Sequence, residues 1–246
     1  MERAGVFLAC KAGKPEDAAL AFRHALELEP NNTGGYQNLG VLLFCELRKP
    51  EEAQTILKHA LQLAPDRPVL AAILAAVQPA AAGSEGALTF FDAAARPEFW
   101  AELLELNQNY APFGKILLKI CELVEQPDSS HPVTRLYRMV ALARLGDFPR
   151  ASVAFEDALV GDPIELLARG RAALEVFFSA AVKAGRVREC LDVLAKKEWI
   201  DAWRPIYEAL KAVEAGSAVY LKRVAVEIRE PALKILRRIA PNLPVE

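Results

Sequence analysis

A sixteen-residue block, PEDAALAFRHALELEP at 15–30, returns as PEEAQTILKHALQLAP at 50–65, thirty-five residues on. Its skeleton recurs as Ala87, Phe91 and Ala94, and again as Ala151, Phe155, Ala158 and Pro163. Small residues at Ala18 and Ala25, with Phe22 between them, fall on one helical stripe because an α-helix makes a turn every ~3.6 residues. Alanine lets a second helix approach closely, and the aromatic fills the space beside it. Pro30 and Pro65 cannot continue a helix, so each block is punctuated where the next begins. A repeat of this kind confines the chain to stacked helices that share a core with their neighbours.

The chain in order supports an all-α reading, with no sustained strand alternation. A first helix over 1–13 is followed by a helix starting at Pro15, where Glu16 and Asp17 favour the positive helix end. Asn31, Asn32 and Thr33 form a glycosylation sequon, but their position before the 33–47 helix makes them caps. That helix pairs with 50–63. A third pair joins 67–77 to 86–95 through an Ala/Gly/Ser stretch at 79–86 that reads as a mobile loop. Helices are expected at 98–109 and 112–125, then a polar break at 127–132. A further pair follows over 134–159 with Gly146 at its turn, then 164–184 with 187–197, where Cys190 and Leu194 hold the small and bulky positions. The end reads as helices at 203–214, 217–229 and 231–239. The break divides the chain into sub-arrays at 1–126 and 133–246, the second with a helical cap.

Composition narrows the function classes. The apolar fraction of 53% suffices for a continuous core, and a net charge of −2 exerts no global pull on nucleic acid or acidic lipid. The longest apolar run, 69–77, is nine residues, too short to cross a bilayer. Met1 is followed by Glu2, Arg3 and a helix-like segment rather than a basic-then-apolar leader. Cys10, Cys45, Cys121 and Cys190 form no CxxC pair and read as reduced thiols in a cytoplasmic protein.

The spacing Tyr36-x2-Leu39-Gly40-x2-Leu43, then Ala53-x3-Leu57-x2-Ala60-x4-Pro65, resembles the tetratricopeptide repeat, a helix pair of about 34 residues with W-x2-L-G-x2-Y, A-x3-F and P. The chain departs by one extra residue in the 46–50 turn and by Leu in place of the second aromatic. The resemblance implies a right-handed α-solenoid whose concave face is lined by the first helix of each pair. By register that face takes Arg3, Phe7, Gln37, Asn38, Val41 and Phe44, and further on Tyr137, Val140, Arg144, Glu175, Ser179 and Lys183. Such a groove suits an extended peptide or a partner helix. Some family members clamp C-terminal carboxylates with Lys and Asn. Here Asn38 matches one clamp position, but Phe7, Val69 and Ile73 replace the others, so the clamp is rejected. The ends WRPIYEALKAVEAGS and VAVEIREPALKILRRIAP resemble the tails of bacterial multidomain proteins that append such repeats to an ATPase or effector domain. That implies a sensor or regulatory arm in signalling or defence.

No enzyme chemistry emerges. Gly35-x4-Gly40 is followed by Val41-Leu42, where a phosphate loop requires Lys-Ser/Thr. His24 and His59 hold equivalent outer positions with no carboxylate or thiolate at ligand spacing, so they read as surface or partly buried histidines and no metal or other cofactor is implied. Glu102 and Glu105 share a solvated face, and no G-x-S-x-G, HExxH or Cys-His constellation occurs. Lys222, Arg223, Arg229, Lys234, Arg237 and Arg238 oppose Glu227, Glu230 and Glu246 near the end; interleaved with core residues, they read as a solvated cap, with a weak anion-binding patch for nucleic acid or another domain's acidic face as the less favoured alternative. The expected function is a non-catalytic protein–protein interaction scaffold. Its rivals are a self-assembling structural scaffold and, less favoured, a nucleic-acid-binding solenoid. The first unit starts about two residues into the consensus, with Val6, Phe7 and Leu8 uncapped. This implies a piece of a longer protein, or self-association through the N-terminal edge.

Overall fold

The computed structural model describes residues 13–78, 92–125, 132–160, 166, 170–196 and 200–244. The expectations for Arg3, Phe7, Phe91, the 79–86 stretch and most of the 127–132 break lie outside the described residues. The chain divides into two compact units, Met1–Ser130 and His131–Glu246. Among the described residues both are built of α-helices and short 3-10 turns, with no strand.

In the first unit α1 (Pro15–Leu28) and α3 (Pro50–Leu63) each open on a proline with two acidic residues in the first turn. A proline at this position forfeits an N–H that had no helical partner, and the carboxylates face the positive helix end. Between them α2 (Thr33–Cys45) starts where the Asn32 side chain accepts a hydrogen bond from the Gly35 N–H at 2.8 Å. The asparagine is therefore a helix cap, as its position in the sequence implies. The α2–α3 turn absorbs its extra residue at Arg48, which stands at φ 53°. Beyond it the Lys49 N–H reaches back to the Leu43 carbonyl at 2.9 Å.

Helices α1, α2, α3 and α4 (Pro68–Val77) pack each on the next. The repeat stripe supplies the contacts: Ala18, Phe22, Ala53, Leu57 and Ala60 are all buried. Gly40 sets how closely α2 and α3 approach, since a Cβ there would stand 2.6 Å from Leu57 Cγ. Every residue of α4 after its leading proline is buried. A helix apolar all round needs cover on every side, and α4 receives it from α2, α3, α5 (Pro97–Asn109) and α6 (Gly114–Val124). A 3-10 turn, Ala111–Phe113, joins α5 to α6 where the sequence reading begins a helix at 112.

The second unit opens with the hairpin α7 (Pro132–Arg144) and α8 (Phe148–Ala158), turned at Gly146 with φ 84° and capped by Asp147. Helices α9 (Arg171–Lys183) and α10 (Val187–Ala195) follow, with Gly185 at φ 67° between them. Glycine meets no steric penalty at positive φ, the geometry Arg48 adopts at a cost. Phe155, at the bulky repeat position, packs against Phe177 and Phe178 with ring centroids 5.1 and 5.6 Å away. Of the helix expected over 164–184, residues 164–165 and 167–169 lie outside the described residues, and Arg171–Lys183 is helical.

The C-terminal helices differ from the sequence reading. Helix α11 (Ile200–Glu214) carries Pro205 inside it, and α12 (Val226–Ile239) carries Pro231 inside it. The sequence reading starts one helix at 231 and runs another over 217–229. Instead a 3-10 turn, Val219–Arg223, precedes a single helix that runs through the proline. Pro231, the sixth residue of this helix, has no N–H to give the carbonyl of Glu227, and burial of Ala232, Leu236 and Ile239 anchors the turns that follow it.

Candidate partner-binding surface

The expected groove residues fall into two groups. Gln37 and Val41 of α2 are buried, as are Tyr137 and Val140 of α7. Asn38 and Phe44 on α2, Arg144 on α7, and Glu175 and Ser179 on α9 are half-buried, and Lys183 is exposed. Gln37 is a polar group in an apolar setting: its Oε1 is buried without a hydrogen-bond partner. An unsatisfied buried carbonyl of that kind costs ~1–3 kcal/mol.

Part of the α2 surface is covered by α6 of the same unit. Lys115 Nζ donates to the Cys45 carbonyl at 2.8 Å, and Lys119 Nζ stands 5.0 Å from the Phe44 ring centroid. The lysine at 115 takes up an orphan carbonyl at the C-terminal end of α2, where the helix dipole favours a cation. Both lysines lie on one face of α6, a spacing that is legible, but nothing local in the sequence says that this face reaches a helix seventy residues back.

In the second unit α12 packs on both α9 and α11. Arg238 of α12 pairs with Glu175 of α9, and Arg171 Nε holds the same carboxylate at 3.1 Å. Beside these pairs lies a cleft of about 360 Å³ between the three helices. Its apolar lining is Leu174, Phe178, Ile206 and Ile235, with Pro205 and Pro231 on its walls and Arg171 and Lys234 at its edge. The sequence reading places Glu175 on the binding face but misses Arg171 and Lys234 as its companions. In the sequence Lys234 belongs to the basic cluster that reads as a solvated cap or, less favoured, a weak anion-binding patch.

The thiols and histidines give no sign of reactive chemistry. Cys45, Cys121 and Cys190 are buried. Burial pushes the Cys45 and Cys190 thiols up to about 12, so both are protonated at neutral pH. His24 lies 3.3 Å from Glu27, whereas His59 meets Tyr36 edge-on at 4.8 Å, so the two repeat-equivalent histidines face different partners. Among the described residues no group of three His, Cys, Asp or Glu is placed to hold a metal ion. No described helix is long and apolar enough to cross a membrane.

Stacked helix pairs with alanine at the close contacts define an all-α repeat protein. Residues 9–77 match the tetratricopeptide repeat family model, and this segment, α1 to α4, is a tetratricopeptide repeat array. No curated protein matches the chain.

Proposed function

We propose that the chain is a non-catalytic protein-interaction scaffold that binds a peptide or partner domain on the α2 face of the first unit or on the α7 and α9 faces of the second. The observation that carries this reading is the stack formed by α1 to α4 over the tetratricopeptide segment. Repeats of this family generally serve protein–protein contact, and stacked pairs present side chains of successive helices on one extended face. Asn38, Phe44, Arg144, Glu175, Ser179 and Lys183 are the residues that keep exposed area for a partner, whereas Gln37, Val41, Tyr137 and Val140 support them from the interior. Arg3 and Phe7 belong to the same register and extend the proposal N-terminally. Buried thiols suit a reducing, cytoplasmic setting. The likeness of the C-terminal segments to repeat-bearing tails of bacterial multidomain proteins fits a regulatory arm of a larger signalling or defence assembly.

The test is selection of random peptides on the immobilised full chain, followed by titration of the enriched sequences. Binding that drops at least tenfold in Asn38→Ala/Phe44→Ala or in Ser179→Arg/Lys183→Glu supports the reading. A failure to enrich any sequence above an immobilised unrelated helical protein sinks it.

A further inference from the structure

The cleft between α9, α11 and α12 allows the partner's chemistry to be stated, an inference that rests on the interaction reading above. Its volume, about 360 Å³, lies in the range of sites that bury a ligand group of several side chains' size (~300–1,000 Å³). Its floor is apolar: Leu174 and Phe178 are buried on α9 and Ile206 on α11. Pro205 and Pro231 have no N–H to offer, so these walls present rings rather than donors.

Charge around the opening is unbalanced. Arg171, Lys234 and Arg238 stand against one carboxylate, Glu175, which both arginines share. Arg171 is 57% exposed and Arg238 50%, so neither is shut off from an incoming anion. Glu230, the next carboxylate on α12, lies 4.0 Å from Arg229. Among the described residues Lys234 forms no ion pair. An apolar floor with a cationic edge selects a ligand that carries an apolar group and a negative charge together. Nucleic acid is a poorer match, because Phe178 lies 1% exposed at the floor and offers no stacking face.

We propose that this cleft seats an acidic peptide segment of the partner, which inserts one aliphatic or aromatic side chain against Pro205, Pro231 and Ile235, the apolar lining residues that keep exposed area. A flanking carboxylate then meets Lys234 and takes Arg171 from Glu175, while Arg238 keeps Glu175 in place. Binding weakens with salt, because the cations lie at an exposed edge.

The experiment is fluorescence polarisation on the full chain with labelled nonapeptides. One has a central Leu-Phe flanked by Asp and Glu; a second replaces the acids with Lys; a third replaces Leu-Phe with Ser-Ser. The acidic apolar peptide is expected to bind, and the other two to bind at least tenfold more weakly. Arg171→Glu and Lys234→Glu should each weaken it at least tenfold, and Lys234→Ala by less. Lys222→Glu, the same charge change on the exposed 3-10 turn, should leave it unchanged. All three sites are exposed, and an unchanged melting curve confirms folding. Equal binding of the lysine peptide, or indifference to Arg171→Glu and Lys234→Glu, overturns the proposal. If peptides selected on the whole chain bind but ignore these two substitutions, partner binding stands and the cleft assignment falls. If no peptide binds at all, both fall.

Discussion

Replacing Gly40 with alanine should destabilise the first unit, although the same change in an open helix would help. Alanine is favoured over glycine in a helix interior by ~1 kcal/mol. At position 40 the added Cβ stands 2.6 Å from Leu57 Cγ, 2.8 Å from Cδ2 and 3.2 Å from Cδ1. Leu57 is fully buried between α2 and its neighbours, so it cannot swing away into solvent. Overpacking of this kind costs ~1–3 kcal/mol, leaving a net loss of up to ~2 kcal/mol after the propensity gain. Leu57→Ala alone should cost ~2–5 kcal/mol through lost burial and a cavity. In the double variant the new methyl sits where leucine atoms were removed. The combined loss should therefore fall short of the sum by at least ~1 kcal/mol. Because the chain has two units, one global unfolding energy is not defined for it. Native-state hydrogen exchange of α2 and α3 amides in a urea series gives the local value instead. A more protected Gly40→Ala protein, or strictly additive losses, would refute the close-approach argument.

Phe22→Ala should lower the stability of the α1–α2 region by ~3–5 kcal/mol, read by exchange of α1 amides; an unshifted profile would mean the repeat register is wrong. Gln37→Leu removes the unpartnered Oε1 and should be neutral or raise stability by up to ~1 kcal/mol, whereas a loss above ~2 kcal/mol by native-state exchange of α2 amides would reveal a hydrogen bond at that atom. Arg48→Gly relieves the positive φ and should stabilise the α2–α3 turn by about 0.5–1 kcal/mol, measured as a higher melting temperature. The Cys45 and Cys190 thiols have folded values raised from the ordinary 9.0 to about 12. The folded state thus favours the protonated form. Their contribution is complete below pH 9 and is lost as pH climbs from there towards 12, so thiol-reagent labelling at pH 8 should track unfolding rather than exposure.

Local pattern carried most of the helical architecture. Ala18 with Phe22, Ala53 with Leu57 and Ala151 with Phe155 are buried because helical periodicity alone decides which stripe faces inward. The C-terminus resisted because proline is ambiguous: Pro50 starts a helix, while Pro231 sits inside one, and the difference lies in what Leu236 and Ile239 bury against. The binding face was legible only by register. Register places Phe44 on the first-helix surface, but the reach of Lys119 to its ring depends on a fold-back between segments far apart in sequence. The same limit hid the cleft, which exists only where Lys234 of α12 comes beside Arg171 of α9.

Both units lay their last helix on earlier ones, α6 on α2 and α4, α12 on α9 and α11. What holds α12 decides whether the proposed cleft can exchange partners without losing its wall. The Arg238–Glu175 pair is half-exposed, and such pairs contribute ~0–1 kcal/mol. Leu236 and Ile239 are buried almost completely, and each large aliphatic contributes ~1.5–3 kcal/mol on full burial. Apolar contact therefore outweighs the ion pair in docking α12. A partner carboxylate can then redistribute the arginines at small cost while Leu236 and Ile239 keep the helix seated. Glu175→Gln separates the two roles. It should leave α12 amide protection within about 1 kcal/mol of the parent, and it should strengthen binding of the acidic peptide by freeing Arg171. Loss of α12 protection in that variant would show that charge, not burial, holds the helix.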